Sequence, residues 1–136
     1  MLLVDTNIWL AAGDRRSRHH HACTTVLADH AHELAATTLV IAETAWLLLD
    51  RAGPAAQAAF IAMISTGRLE PVELTTSDWA RVHQLVTTYT DLTLDIIDAS
   101  TIAVAEPHGH TTIATLDHRD FATVKPAHTT AFHLIP

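Results

Sequence analysis

Four acidic residues stand at places in the chain where a carboxylate could do chemistry. Asp5 follows the short apolar run Leu2-Leu3-Val4, and Asp117 follows Thr112 to Leu116, which alternates in the manner of a strand. In an open parallel sheet, ligands bind beyond the carboxyl ends of the strands, so both acids are expected on one rim. Asp98 lies in the first turn of an apolar helical pattern. Glu43 is the only charge between Leu39 and Leu49, a window in which nine of eleven residues are apolar, and a carboxylate embedded there needs a partner. Hard oxygen ligands of this kind suit Mg²⁺ or Mn²⁺, which take carboxylates and keep waters.

Each acid also has a plainer reading. Asp5 could cap the helix that follows it, Asp117 could open a polar turn, and Asp98 could be an acid favoured by the helix dipole three residues after an Asp95 cap. Thr6, Asn7, Thr115 and Asp120 could orient ligands or act as caps. Arg15, Arg16 and Arg18, ahead of His19-His20-His21, could form a phosphate-binding edge or a solvated helix entry, and Arg119 is a further candidate for contact with substrate. Three consecutive histidines point in different directions on a helix, which speaks against a zinc site. Trp9, Trp46 and Trp79 sit in apolar helical patterns and are expected in the core.

The elements that must position these groups can be read from the apolar pattern. Leu2-Leu3-Val4 predicts a buried strand, with a short helix after Asp5-Thr6-Asn7. Ser17 is expected to cap a helix through His30, Leu34-Ala35-Ala36 to form a second strand, and Thr37-Thr38 to open an apolar helix through Arg51. Gly53-Pro54 separates that helix from another reaching about Thr66, and Gly67 stops it. Leu69 to Leu74 contains a proline and reads as a linking segment or edge strand. Ser77 is expected to cap a helix through about Thr88, and Ile96 to Glu106 to form one ended by Pro107-His108-Gly109. Thr112 to Leu116 and Phe132 to Ile135 supply the last strands. Strands separated by helices imply parallel pairing with right-handed crossovers. The expected fold class is a three-layer α/β/α sandwich around a central parallel sheet.

With 136 residues, 49% apolar and 17% charged, and with only four Gly and five Pro, the chain reads as one domain over 1–136 rather than a disordered segment or a repeat array. Its longest wholly apolar run, Ala58 to Ile64, is far short of the roughly 20 residues that span a bilayer, and no basic stretch opens the sequence. Cys23 is the single cysteine, so no internal disulfide is available, and a cytoplasmic setting is expected. The net charge of −7 argues against nucleic-acid binding by charge alone. Carboxylates gathered around divalent cations would cease to count as repulsion, which reopens anionic substrates.

Taken together, Val4-Asp5-Thr6-Asn7, the lone Glu43 in Ile41-Ala42-Glu43-Thr44-Ala45, Asp98-Ala99-Ser100, and Ala114-Thr115-Leu116-Asp117-His118-Arg119-Asp120-Phe121 resemble PIN-domain ribonucleases. More narrowly, they resemble the VapC toxins of type II toxin–antitoxin systems. The resemblance runs in order along the whole chain, although from Gly53 to Thr90 it rests on helical pattern. It implies a metal-dependent endoribonuclease that damages tRNA or ribosomal RNA, works as a homodimer and is inhibited by a cognate VapB-type antitoxin. Asp5, Glu43, Asp98 and Asp117 match the family's acidic quartet, Thr6, Asn7 and Thr115 stand in supporting places, and Asp95 is a less constant extra acid.

Beside that resemblance, the residues themselves suggest hydrolysis of a phosphodiester with one or two Mg²⁺ or Mn²⁺ ions. Asp5 and Asp98 are the first-choice ligands, and Glu43 and Asp117 could hold a second ion or its waters or accept a proton. An aspartyl-phosphate phosphatase would want an acid where Asn7 stands, two residues after Asp5. A phospho-receiver would want paired acids beside Asp5 and a strand-end lysine, yet the only lysine, Lys125, lies beyond the last acid. A scaffold without catalysis would not need the quartet.

Overall fold

A computed structural model describes residues 1–136. The order of elements is β1 (Leu2–Val4), α1 (Thr6–Gly13), α2 (His20–Asp29), β2 (Leu34–Thr37), α3 (Thr38–Ala52), α4 (Pro54–Ser65), β3 (Glu70–Val72), α5 (Thr76–Thr88), α6 (Ile96–His108), β4 (Thr112–Ala114), α7 (His118–Thr123) and β5 (His133–Ile135). The strands form one parallel sheet in the order β3-β2-β1-β4-β5.

Side-chain alternation along these short strands divides the core in two. Leu2, Val4, Leu34, Ala36 and Ala114 point to one face and pack with Ile8, Trp9, Cys23, Val26, Val40 and Phe60 of α1 to α4. Leu3, Ala35 and Ile113 point to the other, against Val82, Leu85, Ile102, Val104 and Phe121 of α5 to α7. Both faces of the sheet are therefore covered, as a parallel sheet requires, giving the three-layer α/β/α sandwich. No helix is long and apolar enough to cross a membrane.

Several expectations are corrected in detail. Ser17 does not cap α2, which starts at His20 without a side-chain cap; its hydroxyl accepts from His19 N instead. Of the expected pair Thr37-Thr38, it is Thr37 that caps α3, accepting from Val40 N at 3.2 Å. The cap of α5 is Thr75 rather than Ser77, because Asp78 returns a bond to the Thr75 backbone and completes a capping box. Pro107 lies inside α6, and Gly109, in the left-handed region at φ 68°, ends it. The strand from Thr112 is shorter than expected, stopping at Ala114, and a helix nowhere anticipated, α7, follows with Asp117 as its cap.

The tryptophans divide. Trp9 is buried and meets Phe60 edge-on at 5.4 Å. Trp46 is 63% exposed and Trp79 43% exposed, so neither is a core residue. Trp46 lies in α3, whose apolar residues outnumber its buried places so that the surplus faces outward, and Trp79 lies in the first turn of α5, ahead of the buried Val82 and Leu85. Val40, in the same helix as Trp46, is fully buried.

Candidate active site

β1 is the central strand, and the chain leaves it towards β2 and β3 on one side before returning to β4 and β5 on the other. The gap between β1 and β4 is thus the switch point of the sheet, where a ligand crevice opens beyond the strand ends. Asp5 stands at that gap, its N–H donating to the Ala114 carbonyl of β4 at 2.9 Å.

The Asp5 side chain is almost fully buried and its oxygens are heavily engaged. Oδ1 accepts from Thr6 N at 2.7 Å, and Oδ2 accepts from Asn7 Nδ2 at 2.7 Å and Thr115 Oγ1 at 2.8 Å. Asn7 extends the lattice: its Oδ1 accepts from Leu116 N at 2.9 Å, while Thr115 Oγ1 accepts from Asp117 N at 3.0 Å. The loop after β4 is thereby laid against the start of α1. Thr6 gives its backbone N–H to Asp5 and its hydroxyl to Glu43 Oε2, at 2.6 Å, so Thr6 links these two acids. Asp5 does cap α1, and it does so as part of this larger network.

The second group of acids comes from α6 and α7. Asp95 caps α6 by accepting from Ile97 N and Asp98 N, at 2.8 and 2.9 Å, which turns the first helical turn so that Asp98 is buried at the rim. Carboxylate oxygens of Asp98, Asp117 and Asp120 all lie within 4.8 Å of one another. Asp120 is the residue the sequence reading set aside as a possible orienting group. Its signal was the spacing Asp117-x-x-Asp120, which puts two carboxylates on one face of a helical turn, but α7 itself was not foreseen.

Electrostatics joins the two groups. Burial pushes Asp98 up to about 8, and the charges of Asp5, Asp95, Asp117 and Asp120 add to it. Burial likewise pushes Asp5 up to about 6, against lowering hydrogen bonds from Thr115 and Thr6, with Glu43 and Asp95 adding repulsion. Carboxylates held this close and this dry favour either bound protons or a shared cation. An all-oxygen donor set fits a hard divalent ion better than a transition metal that prefers nitrogen or sulfur.

The arginines are distributed unevenly. Arg119 borders the cluster, its Nε donating to Asp120 Oδ1 at 2.9 Å while the side chain stays 73% exposed. Arg15, Arg16 and Arg18 follow the far end of α1, whose 8 residues rise about 12 Å from the acidic rim, so the fold does not bring them to the acids. Arg16 there donates to Asp14 Oδ1 at 3.2 Å, and Arg18 to His19 Nε2 at 2.9 Å.

Comparison with known proteins adds an independent line. The sequence profile of the PIN domain family matches residues 2–125. Ribonuclease VapC26 of Mycobacterium tuberculosis is 28% identical over 135 residues, covering 99% of this chain and 100% of that protein. The crystal structure of M. tuberculosis VapC20, a toxin that cleaves the sarcin-ricin loop, superposes with a TM-score of 0.80 at 20% identity, over 88% of this chain and 92% of that one. A toxin–antitoxin complex from Klebsiella pneumoniae gives 0.70 at 19% identity, over 98% and 100%. Because the profile spans every element that carries an acid of the site, and the fold agrees, the chain belongs to the PIN domain family.

Proposed function

We infer that residues 1–136 form one PIN-like ribonuclease unit, the toxin of a type II toxin–antitoxin pair, which hydrolyses RNA phosphodiesters with Mg²⁺ or Mn²⁺. The observation that carries this reading is the group formed by Asp98, Asp117 and Asp120, with oxygens within 4.8 Å, beside the Thr6-linked pair Asp5 and Glu43. One or two divalent ions held there would lower the pKa of a water and offset the charge developing on phosphorus. Asp5 and Asp98 are the first-choice ligands, with Glu43, Asp117 and Asp120 holding further waters or a second ion. Glu43 or Asp117 takes up the proton from the attacking water. Thr6, Asn7, Thr115 and Asp95 hold these carboxylates in place, since each donates to or caps one of them.

Arg119 is the nearest cation suited to a phosphate, and Arg15, Arg16 and Arg18 would meet only a more distant part of a long RNA. That one relative is a ribonuclease and another a toxin cutting the sarcin-ricin loop favours tRNA or ribosomal RNA as substrate, arrested translation as outcome and the cytoplasm as setting. A phosphatase in which Asp5 is the nucleophile fits less well, since both of its oxygens already accept hydrogen bonds.

A VapB-type antitoxin is the expected partner. An apolar groove of about 500 Å³ runs among α1 to α4, lined by Trp9, Leu27, Leu34, Leu48, Phe60 and Met63, and suits the apolar face of an antitoxin segment. A guanidinium from that segment could engage two site carboxylates and compete with the ion. Incubation of purified protein with structured RNA and Mn²⁺, with Asp98→Asn in parallel, tests the nuclease reading; equal cleavage by the two proteins contradicts it.

A further inference from the structure

Between β2, α3 and α6 a file of hydrogen bonds runs through the protein interior. Val40 N donates to Thr37 Oγ1 at 3.2 Å, Thr37 Oγ1 lies 2.8 Å from Ser100 Oγ, and Ser100 Oγ donates to the Ile97 carbonyl at 2.7 Å. Thr37 and Ser100 are both 0% exposed, so water cannot complete their bonding. A hydroxyl has a single proton. Ser100 gives its proton to Ile97, so Thr37 must be the donor to Ser100, and the Thr37 lone pairs are left to receive Val40 N–H. The direction of every bond follows, and no group in the file is left over.

Both ends of the file belong to elements that carry site acids. Thr37 caps α3, whose second turn holds Glu43, and the Ile97 carbonyl belongs to the peptide that leads into Asp98. Helix formation alone does not call for a hydroxyl at position 100, because alanine is the better helix former. The apolar alternative is used farther along the same helix at Ala103 and Ala105, beyond the turn that carries Asp98. A buried hydroxyl is costly unless bonded, and here its bonding fixes how the first turn of α6 is rotated against the start of α3.

We propose that Thr37 and Ser100 are positioning residues: their hydrogen-bond file sets Asp98 relative to Glu43 and thereby the tightness with which the site holds its divalent ion. This rests on the metal-dependent reading above. It concerns neither a ligand nor a proton carrier, since neither hydroxyl touches the acids.

The test compares Mn²⁺ binding, by titration calorimetry, in the wild type, Ser100→Ala, Thr37→Val and Thr37→Ser. Val82→Ala, a buried change in α5, a helix that carries none of the site acids, controls for lost stability. Ser100→Ala and Thr37→Val should bind Mn²⁺ about 10-fold more weakly and need correspondingly more Mn²⁺ for half-maximal RNA cleavage, as loss of groups that orient ligands does elsewhere. Thr37→Ser keeps the hydroxyl and should bind as the wild type does. Val82→Ala should melt at a lower temperature with Mn²⁺ affinity unchanged. Affinities of both Ser100→Ala and Thr37→Val within about twofold of wild type overturn the proposal, as does an equal loss in Val82→Ala. If Ser100→Ala does not fold, the near-isosteric Thr37→Val decides alone. A wild type that neither binds Mn²⁺ nor cleaves RNA overturns the nuclease reading and this inference together, whereas an active wild type matched by the variants overturns the positioning role only.

Discussion

The Thr6 hydroxyl donates to Glu43 Oε2 at 2.6 Å, across 37 positions of sequence. That bond fixes one oxygen of the acid that looked least at home in its own helix, and leaves the other free for an ion or its waters. The same residue donates its backbone N–H to Asp5. Thr6 therefore orients two carboxylates that come from different elements.

Replacing Thr6 by Val keeps the shape and removes the hydroxyl. Initial rates of RNA cleavage at fixed Mn²⁺ should fall about 10- to 100-fold, the range seen when a group that orients a metal ligand is lost. The melting temperature should move by only a few degrees, and Thr6→Ser should stay near the wild-type rate. Undiminished cleavage by Thr6→Val would remove Thr6 from the site.

The carboxylates also set a pH dependence in the absence of metal. Asp98 rises from 3.8 to about 8 and Asp5 from 3.8 to about 6, so each holds a proton in the folded protein that the unfolded chain releases at lower pH. That contribution to stability is complete below about pH 4 and is lost as the pH rises towards about 8. In EDTA, the melting temperature should fall between about pH 5 and pH 8. Mn²⁺ should raise it most at the upper end, where fewer protons have to be displaced. In EDTA at about pH 8, Asp98→Asn should melt above the wild type, because it removes a buried, repelled charge. A flat profile in EDTA would contradict the account of Asp98.

Asp120 and Arg119 separate ion binding from RNA binding. Asp120→Asn should weaken Mn²⁺ binding measured calorimetrically, because it removes a charged ligand from the cluster. Arg119→Gln should leave Mn²⁺ affinity no weaker, since Arg119 competes for an Asp120 oxygen. It should instead reduce RNA affinity and make the salt dependence of binding shallower by about one unit. If Arg119→Gln leaves the salt slope unchanged, this arginine makes no phosphate contact.

Ala42, Trp46 and Leu49 lie exposed at i, i+4 and i+7 along α3, and Ile61 of α4 is 43% exposed. A stripe of this kind is a natural face for a second copy of the chain, and a two-fold dimer is the simplest symmetric solution. Light scattering at tens of micromolar should report a dimer of the 14.8 kDa chain. Trp46→Glu should shift it towards monomer, and a dimer that survives unchanged would place the interface elsewhere.

Where the sequence was informative, one physical period dominated. Leu2-Leu3-Val4 and Leu34-Ala35-Ala36 could be read as strands because each is fully apolar and bounded by helix-capping residues, and the parallel sheet followed from the helices between them. Asp5, Glu43 and Asp98 could be selected because each sits badly in its surroundings or at the end of an element. Asp120 was given only a supporting place, and α7 escaped notice, because a six-residue helix has too few residues for a period, and its cap, Asp117, had already been assigned another role. The cap at Thr75 lost to Ser77, a neighbour of similar propensity, a choice made by the capping box of Thr75 with Asp78. Trp46 and Trp79 were misplaced for a related reason: an apolar helix pattern does not distinguish the face against the sheet from one left exposed.

The most direct measurement is cleavage of a structured RNA by the purified chain at about pH 7.5 with Mn²⁺, with excess EDTA, and with Asp98→Asn in place of the wild type. The account predicts cuts with Mn²⁺, none with EDTA, restoration when Mn²⁺ is returned, and a rate for Asp98→Asn lower by orders of magnitude in a protein that still folds. Cleavage that persists in EDTA, or that Asp98→Asn performs as fast as the wild type, would contradict it.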